Sequence, residues 1–275
     1  NNPKHSIIHI FNYNYLADGK EFEKEPIGAY ADFFKHELTI ISSPKNLLKN
    51  INQVLIDCDI ETGKFISGSY ALGIEYLSNS DFKLGATIID IGYEKTSIAV
   101  FSNLALIHSA TIPIGSNHIT KDISRGCSVS LEDSENIKNK LGIIYSENFN
   151  DKTHNNNNNL SEDLFKKTKF RKISKALVKT IVKSRIEEIL YLIKKELFFS
   201  GLKMTAGKNI FVLGGGASIP NLHKFSSEFF DCNVKIFKSS DNLKLSKEHL
   251  PEFKACLGAI KIIQTGFETE AIAQE

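Results

Sequence analysis

Three β-rich runs joined by very short links limit what this chain can fold into more than any other feature. The runs are Ala86–Ile91, Thr96–Phe101 and Leu104–Ile114, and the links are residues 92–95 and 102–103. Parallel neighbours need a crossover of a dozen or more residues, so links this short predict an antiparallel three-strand meander. Helical spacing begins at residue 116 and a second strand–glycine–helix pattern follows later, so the chain is predicted to be an α/β protein.

Periodicity predicts the remaining elements. Strands are expected at 6–12, 37–43, Asn209–Leu213 and Val234–Phe237, and helices at 45–57, within 116–141, from Ile173 to Leu197 with Gly201 as its cap, after Pro220, and near Pro251. The stretch from Glu147 to Asp163 is rich in asparagine and poor in apolar residues, so it predicts a loop that is mobile over His154–Asn159.

Composition excludes several classes of function. The 275 residues carry a formal net charge of +2, which gives no general sign of a nucleic-acid partner. The four cysteines lack metal-ligand spacing, and the histidines show no zinc-site pattern. No apolar run approaches the roughly 20 residues of a membrane-spanning helix. We therefore expect no nucleic acid, no structural metal and no integral membrane segment.

Two turns could hold a phosphate. In the first, a buried strand delivers Asp90 to a tight turn that ends at Thr96, where backbone N–H groups could face an anion and the carboxylate could hold hydrated magnesium. In the second, Gly214-Gly215-Gly216 follows a buried strand. The alternatives are an ordinary hairpin and a plain tight turn, and for the first loop alone the hairpin is favoured. Neither turn fits a Walker loop or the dinucleotide fingerprint.

Taken in order, these segments resemble the FtsA family of the actin superfamily. The most specific match to the family pattern is Ile112-Pro113-Ile114-Gly115-Ser116-Asn117-His118-Ile119-Thr120-Lys121-Asp122-Ile123. Shorter matches are Asp90 to Thr96, Ser134-Glu135-Asn136-Ile137-Lys138, Arg185-Ile186-Glu187-Glu188-Ile189, Leu213 to Ala217, and Pro251 to Gly258. The resemblance implies an actin-like (RNase H-type) two-lobe ATPase fold.

The resemblance also implies an ATP and Mg2+ site. Its phosphate-side residues would be Asp90, Gly92, Thr96, Gly115, Ser116 and Asn117, with Asp90 holding Mg2+ indirectly. Glu135 and Lys138 would hold the ribose and adenine edges, and Gly214, Gly215, Gly216 and Ser218 would pass beneath the adenine. No catalytic residue is assigned, so the implied activity is at most a weak ATPase.

The family's subdomains map onto the chain by resemblance. Residues 1–43 would be a remnant of subdomain 1C, 44–81 part of 1A, 82–118 subdomain 2A, 119–202 subdomain 2B, 203–250 the return through 2A, and 251–275 the closing helix of 1A. The family's N-terminal phosphate loop and C-terminal amphipathic membrane helix have no counterpart, so we expect a fragment of a longer protein.

The implied role is that of an adaptor in bacterial cell division. It would link the FtsZ ring to the cytoplasmic face of the inner membrane, self-associate into filaments and recruit later division proteins. A relative of the pilus-assembly protein PilM and an actin-fold small-molecule kinase are the alternatives.

Two local features bear on this role. Nine basic residues and no acidic one lie between Lys166 and Arg185, which indicates either a solvated face or a binding surface for the FtsZ C-terminal tail through Lys175, Lys179 and Arg185. Tyr93-Glu94-Lys95 stands where the family has Gly-Gly-Thr. That departure predicts poorer hydrolysis, and the sequence leaves open whether Glu94 or Lys95 faces the phosphates.

Overall fold

A computed structural model describes residues 3–22, 25–103, 105–143, 158–201, 209–237 and 253–265. Its strands are β1 His5–Ala17, β2 Lys20–Phe22, β3 Phe34–Pro44, β4 Ala86–Ile91, β5 Thr96–Ser102, β6 Ala105–Ile112, β7 Ile210–Leu213 and β8 Val234–Ile236. Its α-helices are α1 Lys45–Ile56, α2 Gly68–Tyr76, α3 Asn79–Leu84, α4 Ser116–Cys127, α5 Leu131–Leu141, α6 Lys175–Phe199, α7 Leu222–Phe230 and α8 Lys254–Thr265.

The chain divides into two compact units. The first holds residues 1–86, 99–109 and 252–275, and the second holds residues 87–98 and 110–251. Strands β4, β5 and β6 each contribute residues to both units.

The first unit contains a three-stranded sheet in the order β2-β1-β3, with β1 antiparallel to both neighbours. Phe11 of β1 is fully buried, and its ring centroid lies 4.7 Å from that of Tyr70 on α2. His9 packs against the same two rings, and its Nε2 accepts the N–H of Ser67 at 2.9 Å. An aromatic cluster therefore fixes the sheet to the start of α2.

Helices α2 and α8 pack closely in the same unit. A Cβ added at Gly258 of α8 would lie 1.9 Å from the carbonyl oxygen of Ala71, so only glycine permits this approach. Glu75 of α2 is almost fully buried and pairs with two lysines of α8, Lys254 at 3.6 Å and Lys261 at 2.8 Å. The glycine of the family pattern near the end of the chain thus has a packing role.

The five-stranded sheet has the order β6-β5-β4-β7-β8. Strand β7 is parallel to β4 on one side and to β8 on the other. In this register Asp90 of β4 lies beside Leu213 of β7, so the loops that follow these strands leave the same edge of the sheet. In open α/β sheets this carboxyl edge is where ligands bind.

Helices α4, α5 and α6 belong to the second unit, and α4 packs against both of the others. Helix α6 buries one face, which comprises Val178, Val182, Ile186, Ile189, Leu190, Ile193 and Leu197. Gly201 follows its end with a φ of +73°, the left-handed conformation expected of a glycine cap. Among the described residues, no helix is both long and apolar enough to span a membrane.

The structure confirms most of the predicted elements. The three β-rich runs that begin at residue 86 are neighbouring strands in the sheet, and because their links are short they are antiparallel. Leu104 and Pro251, which belong to two of the predicted elements, lie outside the described residues. Helices α2 and α3 and the short strand β2 were not predicted.

The loop predicted for residues 147–163 is wrong at its C-terminal end, and residues 147–157 lie outside the described part. Asn159 forms a β-bridge with Ser174, and the N–H of Leu160 donates to the carbonyl of Ile173. Leu160 is also buried, and Glu162–Leu164 forms a 3-10 turn, so this end of the stretch is ordered.

Candidate functional site

The two turns singled out in the sequence lie against each other at the carboxyl edge of the sheet. A Cβ added at Gly214 would lie 2.2 Å from Asp90 Oδ1 and 2.6 Å from the carbonyl oxygen of Ile91. Gly214 also has a φ of +88°, which disfavours any other residue. The residue that follows β7 must therefore be glycine for the two loops to meet.

The first loop, residues 92–95, presents unused donors. The N–H of Gly92 donates to the carbonyl of Lys95 at 2.9 Å and closes the turn. Within the part of the chain that the structure describes, the N–H groups of Tyr93, Glu94 and Lys95 donate to no backbone acceptor. Successive free N–H groups in a turn can attract anions.

The first loop is fixed to the start of α4. The N–H groups of Ser116 and Asn117 donate to the carbonyls of Gly92 at 2.9 Å and of Tyr93 at 2.8 Å. A Cβ added at Gly115 would lie within 2.6 Å of three backbone atoms of the loop, so the loop and the helix can meet only at a glycine. Within the Ile112–Ile123 pattern, Gly115, Ser116 and Asn117 therefore join this turn to the start of α4.

Two further side chains secure the same junction. The hydroxyl of Thr96 is buried and donates to the carbonyl of Ile114 at 2.7 Å. His118 Nδ1 accepts the N–H of Gly115 at 3.1 Å, which requires that Nδ1 carry no proton. Both residues thus shape the loop through hydrogen bonds inside the protein.

The second loop, Gly214–Ser218, leaves one face open. Gly216 packs against Ile91, where an added Cβ would lie 2.3 Å from a methyl carbon, whereas a Cβ added at Gly215 would meet nothing within 4 Å. Ser218 Oγ donates to the carbonyl of Gly215 at 2.5 Å and stiffens the turn. A flat ring could approach the backbone at Gly215 without displacing a side chain.

Asp90 is the carboxylate at the junction of the two loops. Burial raises the pKa of this side chain, and the positive charge of Lys95 opposes that rise. Within the described residues, no group of three or more His, Cys, Asp or Glu side chains is placed to hold a metal ion. Any cation at Asp90 would therefore take most of its ligands from water and from a bound anion.

The side chain of Glu94 contacts two residues of α4. Its Oε1 accepts hydrogen bonds from Asn117 Nδ2 at 2.6 Å and from Lys121 Nζ at 3.3 Å. These contacts, above all that with Asn117, lower the pKa of the carboxyl. The partner of Glu94 is therefore on α4, whereas Lys95 acts on Asp90.

Glu135 and Lys138 belong to one network between α4 and α5. The buried ammonium of Lys138 donates to Glu135 Oε2 at 2.7 Å, Thr120 Oγ1 at 3.0 Å and the Ser116 carbonyl at 3.4 Å. Burial would raise the pKa of Glu135, but hydrogen bonds from Lys138 and Thr120 outweigh it and lower the pKa. Glu135 stays partly exposed, whereas every donor of Lys138 has an acceptor inside the protein.

The basic residues of α6 differ in their pairing. Arg185 Nε lies 2.6 Å from Asp122 Oδ2, and its guanidinium also contacts Glu188, so its charge is compensated. These contacts, led by the one with Asp122, raise the pKa of Arg185. Lys175 and Lys179 lie in the first two turns of the helix and are partly exposed.

Sequence reasoning missed Asp133, a fully buried carboxylate. It accepts N–H groups from Lys166 at 2.7 Å, Lys167 at 3.2 Å and Thr168 at 2.7 Å. Burial would raise its pKa, but these hydrogen bonds hold the pKa far below the usual range of an aspartate. Asp133 therefore fixes the first part of the basic stretch, and an acidic residue opening a helix was the only signal in the sequence.

A parallel β4-β7-β8 core beside a hairpin-linked β4-β5-β6 meander, with glycine loops at one edge, defines an actin-like fold. The PilM–PilN type IV pilus biogenesis complex contains a similar structure, with a TM-score of 0.63, 11% identity, and coverage of 95% of this chain and 67% of that one. MreB5 of Spiroplasma citri, solved with ADP, has a TM-score of 0.60 at 18% identity. The match covers 81% of this chain and 66% of the MreB5 chain. At these identities the likeness shows the fold alone.

Sequence comparison identifies the family. The profile described as "Cell division protein FtsA" matches residues 87–258, so the chain belongs to the FtsA family. It is 30% identical over 237 residues to FtsA of Bacillus subtilis, covering 84% of this chain and 51% of the relative. It is 28% identical over 231 residues to FtsA of Agrobacterium fabrum, covering 84% of this chain and 52% of the relative. The chain thus spans about half the length of these relatives, and its fold is actin-like.

Proposed function

We propose that this protein binds ATP with Mg2+ at the two loops and serves as an adaptor between the FtsZ ring and the membrane. One observation carries the nucleotide part. Asp90, the free N–H groups of residues 93–95 and the open face of Gly215 meet at the carboxyl edge of β4 and β7. That edge offers donors for phosphates, a carboxylate for hydrated magnesium and a bare backbone for a base.

Each predicted residue of the nucleotide site has a role in this proposal. Asp90 would hold Mg2+ through its water ligands, and Gly92, Thr96, Gly115, Ser116 and Asn117 hold the donor loop in place. Glu135 would contact the ribose, and Lys138 positions Glu135 from inside the protein. Gly214, Gly215, Gly216 and Ser218 would lie beneath the adenine. No side chain is assigned to hydrolysis.

The nucleotide proposal predicts that Gly115→Ala weakens binding of MgATP at least tenfold, because the methyl group would push the donor loop away from α4. Calorimetric titration of the parent and the variant measures this change. Gly63→Ala is the matched control, because an added Cβ there meets nothing within 4 Å. Equal affinity of the Gly115→Ala variant and the parent would contradict the placement of the phosphates.

The adaptor part rests on family membership and on the start of α6. Lys175 and Lys179 lie in the first two turns of this helix, where the dipole already favours anions and no acidic residue lies in the first turn. Asp133 holds the backbone of Lys166 and Lys167 in the same unit. Cations gathered at the positive end of a helix suit an acidic peptide, and we propose the C-terminal tail of FtsZ as that peptide.

Charge reversal at Lys175 and Lys179 is expected to weaken binding of an FtsZ tail peptide by about tenfold and to flatten its salt dependence, because exposed charges act through a screened field. Fluorescence anisotropy at two salt concentrations measures both effects. Lys45→Glu with Lys49→Glu is the matched control, since these lysines have the same spacing on α1. If both pairs of variants bind the peptide like the parent, the basic stretch is only a solvated face.

Three further parts of the proposal come from the family alone. They are attachment to the cytoplasmic face of the inner membrane through the family's C-terminal amphipathic helix, self-association into filaments, and recruitment of later division proteins. The protein would be located at the division site.

A further inference from the structure

Glu94 brings a carboxylate into the loop that the proposed function assigns to phosphate. Its Oε1 lies 2.6 Å from Asn117 Nδ2 and 3.3 Å from Lys121 Nζ. An amide donor and an ammonium one helical turn apart are suitable ligands for any anion, including a phosphate oxygen. In this structure the carboxylate of Glu94 accepts hydrogen bonds from both groups.

The fold does not need this contact to hold the loop. The backbone bonds from Ser116 and Asn117 to the loop carbonyls already join it to α4, and Gly115 allows their close approach. The side chain of Glu94 is 56% exposed and that of Lys121 is 40% exposed. Ion pairs this exposed contribute little to stability, so the arrangement needs another explanation.

The position of Glu94 sets it in competition with a phosphate. Its own backbone N–H is one of the three free donors of the loop. A phosphate bound there would therefore lie within a few ångströms of the carboxylate, and the two negative charges would repel each other. Rotation of Glu94 away from α4 would leave Asn117 and Lys121 free to bind the phosphate instead.

We propose that Asn117 and Lys121 form an anion subsite for the nucleotide's phosphates, which Glu94 occupies and from which the nucleotide must displace it. This inference rests on the proposed nucleotide site and adds two residues to it, Lys121 as a ligand and Glu94 as a built-in competitor. The competition lowers the affinity for nucleotide, and any partner that draws Glu94 away raises it.

Glu94→Gln tests the competition, because glutamine keeps the size and an acceptor for Asn117 but removes the charge. We expect this variant to bind MgATP about tenfold more tightly than the parent, equivalent to about 1.4 kcal/mol. Adding Lys121→Gln to it should return the affinity to the parental value or below. Calorimetric titration of the three full-length chains measures these affinities.

Glu187→Gln is the matched control, because Glu187 is a similarly exposed acid whose Oε1 lies 3.5 Å from Lys183. It should leave the affinity unchanged. A gain in Glu94→Gln that survives the loss of Lys121 would show simple repulsion and overturn the subsite. If the parent binds MgATP and the Glu94→Gln substitution does not change the affinity, the inference is overturned and the proposed function still stands. An absence of binding in the parent and in every variant overturns both.

Discussion

Replacing Gly258 by alanine is expected to destabilise the first unit by about 3 kcal/mol or more, because the new methyl group would collide with the backbone of a neighbouring helix. The added Cβ would lie 1.9 Å from the carbonyl oxygen of Ala71 and 2.6 Å from its carbonyl carbon. A backbone group cannot turn aside as a flexible side chain can. Helices α2 and α8 would have to separate, which would also strain the buried pairing of Glu75 with Lys254 and Lys261.

Thermal unfolding followed by circular dichroism measures this effect, and a loss of about 3 kcal/mol should lower the Tm by roughly 6–12 °C. Gly68→Ala provides the control on α2 itself. An added Cβ there meets nothing within 4 Å, so alanine should leave the Tm unchanged or raise it slightly. A Gly258→Ala variant as stable as Gly68→Ala would show that the two helices can move apart without cost.

The same helix pair shows where sequence prediction fails. Helix α2 buries four consecutive residues, Tyr70, Ala71, Leu72 and Gly73, so its apolar residues have no 3.6-residue period to detect. Helix α3 has only six residues, which is too short for periodicity to show. Helix α6 was predicted because one of its faces is buried and the other is exposed over seven turns.

The candidate site was predictable in its loops and not in its contacts. Glycines after a buried strand mark a turn, and the structure explains Gly115 and Gly214 by backbone atoms that leave no room for a Cβ. Whether Glu94 or Lys95 faces the phosphates was open because the two residues are adjacent in sequence. The contacts of Glu94 with Asn117 and Lys121 are long-range and arise only in the fold. Asp133 was missed because its partners are backbone N–H groups, which every sequence supplies.

Asp133→Asn is expected to destabilise the second unit by about 3 kcal/mol, since an amide nitrogen would face N–H donors that now share a carboxylate. The carboxylate accepts three successive backbone N–H groups, from Lys166, Lys167 and Thr168. Asparagine can keep one oxygen in place but leaves at least one of these donors without an acceptor. The basic segment would lose its anchor, so the proposed FtsZ tail site predicts that this variant binds the tail peptide less tightly.

The pH dependence of stability provides a second test of Asp133. Because its pKa is lower in the folded protein than in the unfolded chain, its contribution is present above the unfolded pKa of about 3.9 and is lost as the pH falls toward the folded value. The parent and Asp133→Asn should therefore differ most above about pH 5 and converge in acid. Glu132→Gln is the matched control, because this neighbouring acid is exposed and lies 3.9 Å from Lys167, so its loss should change stability by less than about 0.5 kcal/mol. Denaturant unfolding at several pH values measures this difference. If the difference in unfolding free energy between the parent and Asp133→Asn stays constant in acid, the charge of Asp133 does not stabilise the segment.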